Sequence, residues 1–229
     1  MPLRLLGGVA IHLRGTSRVP ESLTRSYADL DFVTRRGAGG VVGVFFRNEG
    51  YTAQTAFNAL HGNERLLFFD DEHDRQVDVF VGKFRMSHEI QLDERLELEP
   101  QTLPLAELLL TKLQVIEMNE KDLRDALALL LDHPVGDTDG DTVNAARIAS
   151  LCSSDWGLWR TFTRNVEWCR DHLAGHELPD ETIALLHERL DRILERIEAE
   201  PKTRGWKLRA KIGERKRWYE LPEEVAGGP

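Results

Sequence analysis

Two apolar runs, RLLFFDD (65–71) and RQVDVFVG (75–82), flank the short polar break EHD. Both are rich in branched and aromatic residues, and a gap this short joins them as adjacent antiparallel strands. That hairpin commits the first half of the chain to a sheet. It also carries an anomaly. Asp78 lies among Val77, Val79 and Phe80, where a carboxylate is costly to bury unless it is paired or holds a metal.

The remaining elements of the first half are shorter. LRLLGG reads as a strand ending in a glycine pair, with VAIHLRG a short helix or strand after it. GTSRVPESLTRSYA (15–28) is polar and loop-like. DLDFVT (29–34) is a further strand, and Asp29 and Asp31 share one face of it because side chains alternate. VVGVFFRNEGY suits a helix or a strand, with Gly50 as a helix C-cap.

Past about residue 103 the apolar spacing becomes helical. Pro104 suits the first position of a helix over LAELLLTKLQVIEM. Asn119 caps KDLRDALALLLDH, and Asp141 or Thr142 caps TVNAARIASLC. WGLWRTFTRNVEWCRDHL and ETIALLHERLDRILERIEAE follow. In the last, Ile183, Leu186, Leu190, Ile193 and Ile197 form one apolar stripe. The pattern predicts an α+β protein, with a small mixed-sheet core over 1–100 and an α-helical half over 101–229.

Composition narrows the class. With 41% hydrophobic and 30% charged residues in 229, the chain can bury a core. A net charge of −9 gives no overall electrostatic ground for binding nucleic acid or an anionic membrane. Cys152 and Cys169 form neither a disulfide framework nor a zinc pattern. No signal peptide and no bilayer-spanning run are read. A cytoplasmic protein without a membrane partner is expected.

Asp29, Asp31 and Asp78 converge if their strands are neighbours. Three carboxylates suit a hard divalent cation, which takes oxygen ligands. Two such ions, roughly 3.5–4 Å apart, clamp the attacking and leaving oxygens of a phosphoryl displacement. The pair Gly7-Gly8, between a strand and a helix, lets backbone amides approach a phosphate. A tight turn explains the same pair, and a solvent-facing edge explains the aspartates equally well on spacing alone.

Taken together, Leu6-Gly7-Gly8, Asp29-Leu30-Asp31 and Asp78 resemble the signature of the DNA polymerase β-type nucleotidyltransferase superfamily. Within it the chain is similar to the AbiEii-like abortive-infection toxins. Arg25-Ser26, LLLTKLQV with Lys112, and NEKDLRDALALL with Lys121-Asp122 look like further elements of that group. The resemblance covers residues 3 to about 132. Twenty residues separate Gly8 from Asp29, more than is usual in the superfamily.

The resemblance implies a magnesium-dependent transfer of a nucleoside monophosphate from an NTP to an acceptor hydroxyl, with manganese as a substitute ion. It gives metal and catalytic roles to Asp29, Asp31 and Asp78, and nucleotide binding to Gly7, Gly8, Arg25, Ser26, Lys112 and Lys121. Asp122 has an active-site role, with Asp125 as the competing assignment. RNA, tRNA ends included, is the implied acceptor, and an antitoxin protein is an implied partner. The alternative is a non-catalytic binding or interaction protein on the same fold.

Two further features are read from the residues. Lys112 falls on the stripe of Leu105, Leu109 and Ile116, where a lysine must snorkel or find an anion. A triphosphate is one suitable anion, and a wet ammonium at the core rim is the plain alternative. Near the C-terminus, Lys202, Arg204, Lys207, Arg209, Lys211, Arg215, Lys216 and Arg217 are interleaved with Trp206, Trp218 and Tyr219. The segment suits RNA contact or, more plainly, neutralises the protein's own acidic surface. GAGGVVG (37–43) lacks dinucleotide-turn spacing, DTDGDT (137–142) suits helix capping rather than calcium, and His172/His176 lack the glutamate of a zinc helix.

Overall fold

The computed structural model describes residues 1–15 and 19–221; part of the predicted loop 15–28 therefore lies outside the described residues. The fold is α+β, a five-stranded mixed sheet followed by a helical half. Strand β1 (Leu3–Leu6) runs directly into α1 (Gly7–Arg14), and β2 (Leu30–Thr34) follows a segment that contains a 3-10 turn, Glu21–Leu23. VVGVFFRN resolves as helix α2 (Gly39–Asn48), with Glu49 at its C-cap and Gly50 next, at φ +90. Gly50 thus takes the left-handed position just past the cap rather than the cap itself.

Strand β3 (Thr52–Ala53), helix α3 (Thr55–His61), β4 (Arg65–Asp70) and β5 (Arg75–Val81) complete the sheet. Its order is β1-β2-β5-β4-β3. The β4–β5 hairpin forms in antiparallel register as the sequence predicts. The decisive pairing is β2 with β5: it is parallel and sets Asp31 opposite Asp78. Side chains of adjacent residues in register share a face, so the two aspartates stand side by side.

A small hairpin, β6 (Lys83–Arg85) and β7 (Glu89–Gln91), leads to the helical half. There α4 (Leu105–Leu113), α5 (Glu120–Asp132), α6 (Ala145–Ser154), α7 (Trp156–His172), α8 (Asp180–Ala199) and α9 (Arg204–Ile212) pack, with a two-residue pairing of β8 (Val135–Gly136) and β9 (Val143–Asn144) between α5 and α6. Helix α4 is shorter than its apolar pattern: it ends at Leu113, and Ile116 lies beyond it. Pro104 sits at the N-cap, one residue before the first helical position. Asn119 caps α5, accepting from the amides of Lys121 and Asp122. The cap of α6 is Asn144, not Asp141 or Thr142, because Val143 and Asn144 are first drawn into pairing with β8.

The main core joins both halves. Leu6, Ile11, Val33 and Phe80 pack in one cluster with Leu105, Leu109, Leu127 and Phe162. The backbone of Leu5 bonds Gln101 and Leu103 across the nominal boundary at residue 100. A smaller cluster under α2, with Val42, Phe46, Phe68 and Val79, covers the other sheet face. Of the α8 stripe, Leu186, Leu190, Ile193 and Ile197 are buried and Ile183 packs at its edge.

One polar cluster is buried with the helices. Glu107 is 0% exposed and accepts from Arg95 at 2.7 and 3.1 Å and from Arg147 at 2.9 Å. Asp139, within the acidic loop DTDGDT, takes the remaining reach of Arg95 at 2.6 Å. The loop thus serves as a counter-ion. The basic C-terminal segment also turns inward: Trp206 meets Trp159 edge-on, Trp218 meets Trp156, and the Arg209 guanidinium lies 4.6 Å over Trp156. Replacing Glu107 by alanine takes the carboxylate from Arg147 and leaves Arg95 with Asp139 alone, at a buried site where breaking an ion pair costs about 3–5 kcal/mol. Urea unfolding of Glu107→Ala checks this; a change under about 1 kcal/mol would show the cluster to be solvated.

Candidate active site

A cleft of about 230 Å³ opens between the sheet and the helical half. Residues predicted from sequence supply most of its wall: Gly8, Arg25, Ser26, Asp29, Asp31, Lys112, Lys121 and Asp122. Asn119, Tyr27 and Ala28 complete it. The structure brings these positions together from α1, the following loop, β2, α4 and α5. Gly7 and Asp78 stand just behind the wall.

The glycine pair is required by close approach. Gly7 has φ +70, and a Cβ there would lie 2.2 Å from Oδ2 of Asp31. A Cβ on Gly8 would meet the Arg25 guanidinium at 2.0 Å and the Tyr27 ring at 2.8 Å. The backbone opening α1 therefore lies directly against Asp31, Arg25 and Tyr27. The N-cap residue, Leu6, has no side-chain acceptor to cap this helix N-terminus, whose amides carry partial positive charge.

Asp31 and Asp78 differ in their surroundings. Asp78 is buried, and both its oxygens are engaged: Arg65 donates to Oδ1 at 2.6 Å and Gln76 to Oδ2 at 2.8 Å. This answers the cost of placing a carboxylate inside an apolar strand. Among the described residues no ion pair reaches Asp31. Burial, then the neighbouring Asp78 carboxylate, push its pKa up to about 7, with Lys112 opposing and Asp29 adding to the rise. Asp29 lies one residue before β2 and is exposed at the mouth of the cleft.

The cations are held from the opposite wall. Asp125, 2% exposed, receives Arg25 through two parallel bonds of 2.8 and 2.7 Å and Lys112 at 2.9 Å. Asp122 takes Lys112 at 3.2 Å. Burial works against the Lys112 ammonium, but Asp125 and Asp122 outweigh it and hold its pKa above the ordinary lysine value. Lys112 therefore finds its anions within the protein, and both competing helix acids reach it. The Arg25 guanidinium lies 4.3 Å over the Tyr27 ring. Burial and the Asp125 charge raise the Tyr27 phenol pKa, keeping it protonated.

The fit of a divalent cation divides the three aspartates. Asp29 and Asp31 line the cleft with oxygen donors, and among the described residues neither is in an ion pair; they fit one hard ion completed by substrate oxygens. Asp78 could join them only if Arg65 or Gln76 let go. Among the described residues no group of three His, Cys, Asp or Glu side chains is arranged to hold a metal.

The arginine–Asp125 clamp, with Tyr27 against Gly8, was not read from sequence. Its only signal was the i, i+3 spacing of Asp122 and Asp125, which puts both acids on one helix face. Comparison with protein-family models gives no match, and comparisons with curated proteins and with solved structures give none either. Among the described residues no helix is long and apolar enough to cross a membrane.

Asp31 gives a pH test. Its folded pKa lies above the unfolded value, so the native state holds the extra proton between about pH 4 and 7. Stability then falls as pH rises through that window, and the loss is complete above pH 7. At about 1.4 kcal/mol per pKa unit, the loss is of the order of 2–4 kcal/mol. Asp31→Asn is expected to be more stable than the parent at pH 8 and nearly equal to it at pH 4, by urea unfolding. Parallel pH profiles for the two proteins would refute the charge conflict.

Proposed function

We propose that this protein is a magnesium-dependent nucleotidyltransferase that moves a nucleoside monophosphate from an NTP to an acceptor hydroxyl. One observation carries the reading. A single cleft gathers two carboxylates, Asp29 and Asp31, without an ion-pair partner among the described residues, a helix N-terminus that opens on two glycines, and two lysines. A magnesium–nucleotide complex brings the matching charges: the cation for the aspartates, phosphate oxygens for the amides and ammonium groups.

Asp29 and Asp31 would hold the ion, which supplies charge stabilisation at the transferred phosphoryl group. The amides of Gly7 and Gly8 receive phosphate oxygens, and Lys112 and Lys121 offset their charge. Asp125 and Asp122 fix the Lys112 ammonium in place, and Arg25 fixes the loop that carries Ser26 and Asp29. The acceptor hydroxyl attacks the α-phosphorus, pyrophosphate leaves, and the hydroxyl proton passes to a carboxylate of the aspartate group. Asp78, beside Asp31, takes that role once Gln76 or Arg65 releases one oxygen. The family resemblance points to RNA as acceptor and to an antitoxin as regulatory partner, in a cytoplasmic setting.

A second reading, a non-catalytic binding protein on this fold, draws on a specific observation. Lys112 and Arg25 are already paired with carboxylates, and so is Asp78 with Arg65.

Calorimetric titration with each NTP in magnesium, together with pyrophosphate release and label transfer to total RNA, separates the two. The transferase reading expects magnesium-dependent NTP binding and label transfer. Asp31→Asn should reduce transfer by about 10²-fold or more, the scale of losing a group that acts on the reacting atoms. NTP binding with no transfer to RNA, protein or small hydroxyl acceptors would favour the second reading. No NTP binding at all would sink the transferase reading and leave a non-catalytic interaction protein.

A further inference from the structure

A second cavity, of about 400 Å³, adjoins the cleft on the far side of Tyr27. Its described lining includes Ile11, His12, Leu23, Tyr27 and Ala128. Its character is unlike that of the cleft. Ile11 and Leu23 are buried apolar residues, and the rings of His12 and Tyr27 stand 5.4 Å apart, tilted by 40°. The cleft, in contrast, is walled by Asp29, Asp31, Lys112, Lys121 and Asp122.

Tyr27 belongs to both spaces. Its ring rests against Gly8, where a Cβ would come within 2.8 Å, and Arg25 covers it at 4.3 Å. The distance between the spaces follows from the helices they share. From Gly8 in the cleft to Ile11 and His12 in the cavity is three or four residues of α1, about 5–6 Å. From Asp122 to Ala128 along α5 is about 9 Å. A ligand reaching both must be anionic at one end and flat and largely apolar at the other, with a short linker passing Tyr27.

We propose that this cavity takes the base of a nucleoside triphosphate whose phosphates lie in the cleft, with Tyr27 as the ring on which the base stacks. The proposal rests on the nucleotidyltransferase reading and extends it to the nucleobase. Ligand pockets combine apolar and aromatic walls with a few polar groups, and a base offers a π-face to a tyrosine whatever its identity. The His12 ring and the Thr24 side chain among its lining place polar atoms where base edges can be told apart.

The test compares each NTP with inorganic tripolyphosphate, by calorimetry in magnesium on the full chain. At least one NTP is expected to bind about tenfold or more tightly than tripolyphosphate, the scale of one base–aromatic stack. Tyr27→Ala should bring that ratio close to one, and Tyr27→Phe should keep it. Ala128→Phe, which fills the cavity from α5 without reaching the cleft, should lower the ratio as well; thermal melts confirm that each variant is folded. If tripolyphosphate binds as tightly as every NTP, or if neither Tyr27→Ala nor Ala128→Phe changes the ratio, the base site is refuted while the phosphate site stands. If neither ligand binds, the nucleotidyltransferase reading falls and the base site falls with it.

Discussion

The buried carboxylate of Asp125 is the contact on which the site depends. It accepts two bonds from Arg25, one hundred residues away in sequence, and a third interaction from Lys112 on α4. Three segments with no local reason to meet are thereby fixed to one another. A carboxylate that is 2% exposed is tolerated only because it is paired on both oxygens, and the two cations are likewise costly to leave unpaired. Further contacts follow from the clamp. Arg25 covers Tyr27, and both lie on the backbone of Gly8. The glycine is thus required by packing as well as by access to a ligand.

The charges of the cleft are not symmetrical. Each of its clamped cations has a carboxylate, and Asp78 has Arg65 and Gln76. Among the described residues Asp31 has no ion-pair partner, and burial, then the Asp78 charge, push its pKa up to about 7 against the more distant pull of Lys112 and Arg65. The residual demand of the site is therefore for positive charge. A bare phosphate would meet Asp29 and Asp31 as like charges. A phosphate carrying a divalent cation meets them as the missing counter-ion, and only then are the helix N-terminus and Lys121 free to act on its oxygens. Under the proposed function, ion and nucleotide are expected to enter as one complex for this reason.

Much of this was legible in the sequence, for reasons that differ by element. The β4–β5 hairpin was legible because branched and aromatic runs with a short break leave few alternatives, and Asn119 was legible as a cap because its role is local. The cleft residues were found by type and order, since glycines, paired aspartates and a lysine on an apolar stripe are each locally anomalous. What failed was set by contacts distant in sequence. The α6 cap moved to Asn144 because β8 competes for Val143 and Asn144. The apolar pattern of α4 overran its end, since Ile116 is bonded through its amide to Ser87 rather than into the helix. The pairing of Arg25 with Asp125 left no mark either, since nothing near Arg25 in the chain announces a partner one hundred residues on. The basic segment was read for its charge, as an RNA contact or a neutraliser of the acidic surface, and that its tryptophans pack on α7 is something composition cannot reveal.

The two halves of the chain contribute opposite chemistry. The sheet half supplies Asp29, Asp31 and Asp78; the helical half supplies Lys112 and Lys121, and through Asp125 holds Arg25 in place. Parallel pairing of β2 with β5 sets the aspartates together whether or not the helices are docked. The cations arrive only with α4 and α5, which are bound to the sheet half by the shared core of Leu6, Val33 and Phe80 with Leu105 and Leu109. Assembly of the cleft is therefore tied to completion of that core. Within the sheet half Arg65 already moderates the repulsion between Asp31 and Asp78, and Lys112 adds to this from α4. A sheet half without the helices would keep Arg65 and lose Lys112 and Lys121, so neither half contains the site by itself.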